Sequence, residues 1–330
     1  MNHTLKTTLL IIVTLGGIHF STAQKGEKIP IIIDTDANNE IDDQHALAYA
    51  LFNQDVFNIK GITVNATYNG GNINKHYEEA KRVLDLCEDK SNIPVIIGAD
   101  KDFETIKNSL NASSFDGKEA VDFIIKEALK NEEEKLVIIA IGKLTNIALA
   151  VKKNPEISKH IRLVWLGSNY PEPGEYNLEN DIPAMNYLLR DTIPFEIVTV
   201  RYGKANGTDA VKITKAQAAE KIKGYGPIVS TSVAGRHGNE FDRFGDYAMD
   251  LYHHIDYYGH PPSRSLFDMA AIAIVKNPSW AGSKTLSGIE MRGEKWIQSD
   301  QNSREILLWE NFEKEAILND FFDTLKDVSK

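Results

Sequence analysis

The sequence lacks what disulfide-linked and nucleic-acid-binding proteins require. A single cysteine, Cys87, excludes an intramolecular disulfide and a cysteine-ligated zinc site. Acidic residues (47) outnumber Lys and Arg (37), which gives a formal net charge of −10, and no basic stretch stands out. Nucleic acid is therefore not expected as a partner, because binding it requires clustered positive charge. With 42% hydrophobic and 25% charged residues, the 330-residue chain has the composition of an ordinary globular protein.

The first residues have the pattern of an export signal. Lys6 precedes an apolar stretch over 7–18, and Ser21-Thr22-Ala23 then offers a small-residue cleavage site. We expect a signal peptide over 1–23 and an exported mature protein, either periplasmic or secreted. The apolar stretch is shorter than a membrane span of about 20 residues; an uncleaved anchor is the alternative. No long apolar run follows, so no membrane attachment is expected after cleavage.

Short apolar runs alternate with amphipathic stretches over the first two thirds of the chain. The first run, 29–34, is a continuous β-branched segment, which is typical of a strand buried on both faces. Further strands are predicted at 57–64, 94–98, 135–141, 161–166 and 195–200, and helices at 42–52, 74–86, 117–129, 144–152 and 181–189. This alternation predicts an α/β fold with a mainly parallel central sheet flanked by helices, in a single domain over 27–330.

The last third is less regular. Helices are predicted at 213–221, 266–275 and 311–326, and a hairpin between 285–293 and 305–309, with a polar segment between its strands. The stretch 224–258 is rich in aromatic residues, Gly, His and Asp, and has some helical periodicity.

An acidic cluster joins the first predicted strand to the first predicted helix. Five acids fall within ten positions: Asp34, Asp36, Glu40, Asp42 and Asp43. In open α/β sheets this edge is where ligands bind. Carboxylates gathered there repel one another unless a cation is present, and hard oxygen ligands suit Ca²⁺ or Mg²⁺. Alternatively, Asp42 and Asp43 only complement the helix dipole, which leaves Asp34 and Asp36 unexplained.

Two known acidic loops can be compared with this run. An EF-hand loop that begins at Asp34 requires Gly at its sixth position and Glu at its twelfth, where this sequence has Asn39 and His45. The D-x-D of haloacid dehalogenase-type phosphohydrolases resembles Asp34-Thr35-Asp36, with Asp34 as nucleophile. That alternative gives no role to the Asp42-Asp43 pair.

The acidic cluster resembles more closely the D-x-D-P-G-x-D-D motif of the nucleoside hydrolase family (inosine-uridine-preferring enzymes and relatives). This chain has two extra residues between the pair Asp34 and Asp36 and the pair Asp42 and Asp43. Further resemblances follow in order. They are strand segments at 61–64 and 94–99, a G-P-L-T-N-x-A-like segment at 141–148, an N-x5-E-x-N pattern at 169–177, and a late H-D-P-like segment at 266–268. Together they cover about residues 28 to 280.

The resemblance implies hydrolysis of the N-glycosidic bond of ribonucleosides to free base and ribose, through an oxocarbenium-like transition state. It implies Ca²⁺ as cofactor, held by Asp36, Asp43, Asp268 and the main-chain carbonyl of Ile141. The metal would orient a water and lower the pKa of that water. Asp36 would be the catalytic base that takes the proton from this water.

The resemblance also implies residues that bind the substrate, a small ribonucleoside. Asp42 and Asn177 would contact the 2′ and 3′ hydroxyls, and Asn169 and Glu175 the 5′ hydroxyl and the sugar. Tyr176, at a position that is usually Phe, would belong to the same set. Asn65 and Asn69 are both candidates for a further sugar contact. The competing interpretation of Asn169 and Asn177 is that they are turn residues in a Pro- and Gly-rich loop.

This chain departs from the family pattern at the residue that would protonate the leaving base. Many relatives place a histidine before the late Asp, whereas this sequence has Phe267, which cannot donate a proton. His237 is the candidate leaving-group acid, and Tyr225, Asp242 and Tyr247 lie in the same aromatic-rich stretch. This departure keeps a second function open, a non-catalytic or differently specific relative that binds a ribosyl or other sugar ligand at the same metal. Relatives are often dimers or tetramers, so self-association is left open.

Overall fold

The computed structural model describes residues 27–39, 41–87, 92–130 and 134–330. The predicted signal peptide over 1–23 and Glu40 of the acidic cluster lie outside these residues. No helix in the described ranges is both long and apolar enough to cross a membrane.

Fourteen strands occur in the described residues. They are β1 Ile29–Thr35, β2 Phe57–Val64, β3 Val95–Ile97, β4 Leu136–Ala140, β5 Ile161–Leu166, β6 Phe195–Val198, β7 Lys212–Thr214, β8 Val233–Ala234, β9 Glu240–Phe241, β10 Ser263–Ser265, β11 Gly282–Ser287, β12 Ile289–Arg292, β13 Lys295–Gln298 and β14 Glu305–Glu310. Eight of them form one sheet in the order β11-β14-β6-β5-β4-β1-β2-β3, in which only the β11–β14 pair is antiparallel. The predicted mainly parallel sheet is therefore confirmed.

The register of the central strands brings their carboxyl ends to one level. Asp34 of β1 pairs with Thr63 of β2 on one side and with Ala140 of β4 on the other. Along β1, Ile31 and Ile33 belong to one buried apolar cluster and Ile32 to a second cluster. Both faces of the sheet are therefore covered, which explains why this strand is apolar throughout.

Eleven α-helices occur in the same residues. They are α1 Asp42–Phe52, α2 Ile73–Leu86, α3 Phe103–Ile106, α4 Lys118–Ala128, α5 Thr145–Lys153, α6 Tyr176–Asn180, α7 Ile182–Arg190, α8 Lys215–Lys221, α9 Phe244–His253, α10 Met269–Lys276 and α11 Lys314–Asp327. The predicted bounds of α1, β2 and β5 agree with the structure, and most other predicted ends differ by one or two residues. Two short helices, α3 and α6, were not predicted.

The last third differs more from the prediction. The helix predicted from 213 begins at Lys215, because Thr214 caps it through a reciprocal pair of hydrogen bonds with Gln217, and 212–214 form β7 instead. The helix predicted from 266 begins at Met269. Leu266 is not helical because its backbone N–H donates to the carbonyl of Val211 (2.8 Å) beside the β7–β10 ribbon.

The predicted C-terminal hairpin is correct in only one part. β11 pairs with β14 in antiparallel register, as expected. Residues 289–292 do not continue that pairing, because they form a separate ribbon with β13, inside the segment that was expected to be only a polar connection. β14 also extends the main sheet, because its other edge pairs in parallel with β6.

Candidate active site

A cavity of about 520 Å³ opens at the carboxyl ends of the central strands. Nine of the predicted site residues line it: Asp36, Asp42, Asp43, Asn69, Ile141, Glu175, Tyr176, Asn177 and Asp268. Three predicted residues do not line it: Asn65, Asn169 and His237. The volume is within the range of small-molecule sites.

Four buried carboxylates occupy one end of this cavity. Asp42, Asp43 and Asp268 offer one oxygen each within 4.8 Å of one another, and Asp36 is 1% exposed. Burial raises the pKa of Asp36 to about 6 and that of Asp42 to about 7. Burial, and then repulsion from the neighbouring carboxylates, raises the pKa of Asp43 and Asp268 well above the ordinary range. A bound divalent cation would offset this repulsion.

The first strand and the first helix position three of these carboxylates. Asp36 follows β1, and Asp42 and Asp43 form the first turn of α1. The hydroxyl of Thr35 donates to Asp43 Oδ1 (2.5 Å), and that of Thr67 donates to Asp36 Oδ2 (2.5 Å). One oxygen of Asp43 and one of Asp36 are thus fixed by a neighbouring hydroxyl, which orients these two side chains.

The main-chain carbonyl of Ile141 comes from the end of β4. The Ile141 N–H donates to the Asp34 carbonyl (2.8 Å), and the amide of Asn177 donates to the Ile141 carbonyl (3.2 Å). At the next position, Gly142, a Cβ would lie 2.8 Å from Asn65 Nδ2 and 3.1 Å from Asp36 Oδ1. Only glycine allows the β4 end to approach the acids this closely. The donor set is all oxygen and therefore fits a hard cation such as Ca²⁺ or Mg²⁺.

A polar network lies behind the cavity wall. Asp34 is fully buried and accepts hydrogen bonds from Thr63 Oγ1 (2.6 Å), Asn65 Nδ2 (2.7 Å) and Asn146 Nδ2 (2.8 Å). Burial raises its pKa to about 6. Asn65 is therefore a support for Asp34, and of the two asparagines predicted as sugar contacts only Asn69 lines the cavity.

The loop after β5 supplies the next wall. Glu175 is buried, and its carboxylate accepts backbone N–H groups from Ser168 (2.8 Å), Leu178 (2.9 Å) and Asn177 (3.1 Å). Burial raises the pKa of Glu175 to about 7. The hydroxyl of Tyr176 accepts the backbone N–H of Asn69 (3.0 Å). The contact between Tyr176 and Asn69 joins this segment to the loop after β2.

Asn169 makes hydrogen bonds to its own loop and to the loop after β6. Its side-chain amide donates to the carbonyl of Gly174, and its oxygen accepts the backbone N–H of Tyr202 (3.1 Å). It does not line the cavity, which agrees with the turn interpretation of this residue.

None of the residues considered for the leaving base lines the cavity. His237 Nδ1 lies 2.9 Å from Asp250 Oδ2, and its ring stacks on that of His254. Tyr247 donates its hydroxyl to Glu79, and Tyr225 packs against the apolar core. In the described part of the chain, no histidine lines the cavity wall.

A second wall of the cavity was not predicted, apart from Phe267. Tyr202 meets Phe267 edge to face, with ring centroids 5.7 Å apart. The Arg264 guanidinium lies over the ring of Tyr258 (5.4 Å), and Lys212 also lines this wall. Arg264 is 6% exposed, and burial lowers its pKa to about 10, so it stays cationic at neutral pH. Tyr202 could have been found, because it follows a predicted strand end, whereas Arg264 depends on the unpredicted β7–β10 ribbon.

Comparison with known protein sequences gives one family. The family described as inosine-uridine preferring nucleoside hydrolase matches residues 31–319. An uncharacterized protein of Schizosaccharomyces pombe is 29% identical over 240 residues, which are 65% of this chain and 74% of that protein. The non-specific ribonucleoside hydrolase RihC of Salmonella paratyphi A is 31% identical over 186 residues, or 49% and 58% of the two chains. The matched segment thus spans a little over half of the RihC length.

Solved structures share the fold. A plant nucleoside hydrolase superposes with a TM-score of 0.70 over 91% of this chain and 99% of that one, at 18% identity. A purine-preferring ribonucleoside hydrolase from Gardnerella vaginalis gives a TM-score of 0.64 over 91% and 98%, at 20% identity. At this identity the comparison establishes the architecture, including the central sheet and its flanking helices.

Proposed function

The chain belongs to the inosine-uridine preferring nucleoside hydrolase family, and from this premise we propose that it hydrolyses the N-glycosidic bond of ribonucleosides with the help of Ca²⁺. The observation that carries this proposal is the group of four buried carboxylates at one end of a cavity of small-molecule size. A cation would offset the repulsion within such a group, and its oxygen donors suit calcium.

The metal would be held by Asp36, Asp43, Asp268 and the main-chain carbonyl of Ile141. When bound, it would supply the positive charge that makes a water acidic enough to attack the sugar at neutral pH. Asp36 would act as the general base toward water at this site, and Thr67 holds one of its carboxylate oxygens in place.

The ribose would be bound by Asp42, Glu175 and Asn177. The amide nitrogen of Asn177 donates to the carbonyls of Ile141 (3.2 Å) and Leu166 (3.1 Å). The side-chain oxygen of Asn177 therefore remains for a ribose hydroxyl. Tyr176 and Asn69 close the same side of the cavity. Many polar groups around one sugar select strongly against analogues that lack a hydroxyl, because buried partners would then be left unpaired.

For the leaving base, we assign Arg264 in place of the predicted His237. A guanidinium donates hydrogen bonds and never accepts them, and it stabilises the negative charge that develops on a departing base. Arg264 lies in the same wall as Phe267, which holds the position of the usual histidine.

Hydrolysis of inosine, uridine and adenosine by the purified protein, with Ca²⁺ or with a chelator, tests the proposal. We expect release of base that disappears both with the chelator and in Asp36→Ala. No release from any nucleoside, with Ca²⁺ bound as measured by calorimetry, would contradict it. That result would favour the second function, sugar binding without turnover, which the phenylalanine at 267 supports.

Export is also a proposal, supported by the sequence pattern over 1–23 alone. It predicts a mature protein that begins at Gln24 and lies outside the cytoplasm. N-terminal sequencing of the protein from each cell fraction measures this, and an intact Met1 on the cytoplasmic protein would contradict it.

A further inference from the structure

Three side chains that the proposed hydrolysis does not use meet outside the acidic cavity. Asp250 lies on α9, and His254 caps the C-terminal end of this helix four residues later, so the two share one helix face. His237 comes from the turn between β8 and β9. One ligand atom from each of the three lies within 4.8 Å of the other two.

The contacts around this cluster fix its members. His237 Nδ1 lies 2.9 Å from Asp250 Oδ2, and His254 Nδ1 lies 2.7 Å from the main-chain carbonyl of Asp250. The two imidazoles stack with centroids 3.8 Å apart and planes at 29°. Asn239 donates to the second oxygen of Asp250 (3.0 Å). Carboxylate, carbonyl and amide partners of this kind are what orients histidine and aspartate around metals in proteins.

We propose that His237, Asp250 and His254 form a second metal site, one that takes a borderline divalent transition metal of the Zn²⁺ class. Two imidazoles and one carboxylate are the ligands such ions prefer, whereas Ca²⁺ and Mg²⁺ prefer oxygen alone. The chemistry of this cluster therefore differs from that of the acidic cavity, and the two sites take different ions.

Access and spacing agree with this assignment. The side chains of His237 and His254 are 24% and 47% exposed, whereas that of Asp250 is 8% exposed, so an ion can enter from solvent and meet a buried carboxylate. Tetrahedral zinc with bonds of about 2.0–2.1 Å places its ligand atoms roughly 3.4 Å apart. Because the ligand atoms already lie within 4.8 Å of one another, each pair has to close by no more than about 1.4 Å to reach this separation. The bound ion would tie the β8–β9 turn to α9.

Titration of the purified protein with Zn²⁺ in calorimetry, with excess Ca²⁺ to occupy the acidic cavity, tests the site. The variants are His237→Ala and His254→Ala, whose partly exposed side chains can be removed without a cavity in the core. The matched control is His253→Ala, which removes an exposed histidine next to the cluster. We expect one zinc ion with an affinity that falls at least about tenfold in each cluster variant and is unchanged in the control.

A second measurement separates loss of ligands from loss of fold. The zinc-dependent rise in melting temperature should be present in the wild type and in His253→Ala and absent in the two cluster variants, while all four proteins melt alike without zinc. Identical zinc titration curves for the wild type and the three variants would overturn the proposal. Neither readout involves nucleoside turnover, so the result is independent of the proposed hydrolase activity.

Discussion

The two walls of the cavity are built in different ways. The acidic wall comes from the ends of β1 and β4, the first turn of α1 and the N-cap position of α10, so the ends of regular elements position Asp36, Asp43 and Asp268. The second wall comes from the β7–β10 ribbon and adjoining loops, which carry Arg264 and Tyr258. The first wall holds the residues to which the family resemblance assigns the chemistry, and the second holds residues that the resemblance did not assign, apart from Phe267.

The walls also differ in exposure. The four carboxylates of the acidic wall are at most 6% exposed, whereas Tyr202 and Tyr258 are 46% and 63% exposed. Arg264, in the same wall, is buried, at 6%. We therefore expect substitutions in the acidic wall to act mainly on kcat and those at the exposed aromatics mainly on KM, with Arg264 behaving like the acidic wall.

The largest effect should come from Asp43→Asn. This change keeps the shape of the side chain but removes the negative charge of a proposed metal ligand, and a bound metal contributes several kcal/mol to the transition state. We expect kcat/KM to fall about 1000-fold and Ca²⁺ affinity to fall with it. Nucleoside hydrolysis and calcium calorimetry measure the two quantities.

The control for Asp43→Asn is Asp55→Asn, which makes the same chemical change at an exposed position away from the cavity. It should leave both quantities unchanged. Wild-type activity in Asp43→Asn would show that the acidic wall is not the metal site.

The second effect should come from Arg264→Leu. Loss of a charged hydrogen bond to the leaving base costs about 1.5–3 kcal/mol, so kcat/KM for inosine should fall about 10- to 100-fold. Arg264→Lys keeps the charge and should retain part of the activity.

An activated substrate tests whether Arg264 acts on the leaving group. p-Nitrophenyl riboside releases a stable phenolate, which needs little stabilisation by the enzyme. Its hydrolysis should be nearly the same in Arg264→Leu and in the wild type. An equal loss with both substrates would assign Arg264 to the structure of the wall and not to the departing base.

The same contrast explains what could be predicted from the sequence. Asp36 and Asp43 were found because a buried β-branched run ends in acids, and the strand-end rule then places those acids at the ligand edge. Asn177 and Asp268 came from the family resemblance, since spacing alone does not connect them to Asp36. The structure brings all four to one cavity.

The second wall could not be predicted, because its position depends on pairing between distant short segments. β7 and β10 are three residues each, and 213–214 were assigned to a helix, so nothing in the sequence indicated that Arg264 would lie beside Ile213. His237 was chosen for its chemistry and its aromatic-rich surroundings. In the structure its Nδ1 lies 2.9 Å from Asp250 Oδ2, away from the cavity.

The third prediction concerns the stability of the acidic wall. Asn146 donates to Asp34 (2.8 Å) and to the Val64 carbonyl (3.0 Å), and accepts the backbone N–H of Ala99 (2.8 Å), all in the buried network behind the cavity. Asn146→Ala removes one of the three hydrogen bonds to Asp34 and the bonds to Val64 and Ala99, and should lower the free energy of unfolding by about 2–3 kcal/mol. Urea denaturation measures this.

Asn58→Ala is the matched change at an exposed position of the neighbouring strand β2. It should alter the free energy of unfolding by no more than about 0.5 kcal/mol. Equal effects of the two alanine variants would contradict a special role for the network.

The smallest effect should come from Tyr258→Ala in the exposed wall. Its ring lies against the Arg264 guanidinium, a contact that is worth about 0.5–1 kcal/mol at exposed positions. We expect KM for inosine to rise about two- to fivefold, with kcat unchanged and the free energy of unfolding within about 0.5 kcal/mol of the wild type. Tyr258→Phe keeps the ring and should keep KM. A fall in kcat as large as the rise in KM would mean that Tyr258 positions Arg264 in the transition state, and the two walls would then differ in architecture but not in their part in the reaction.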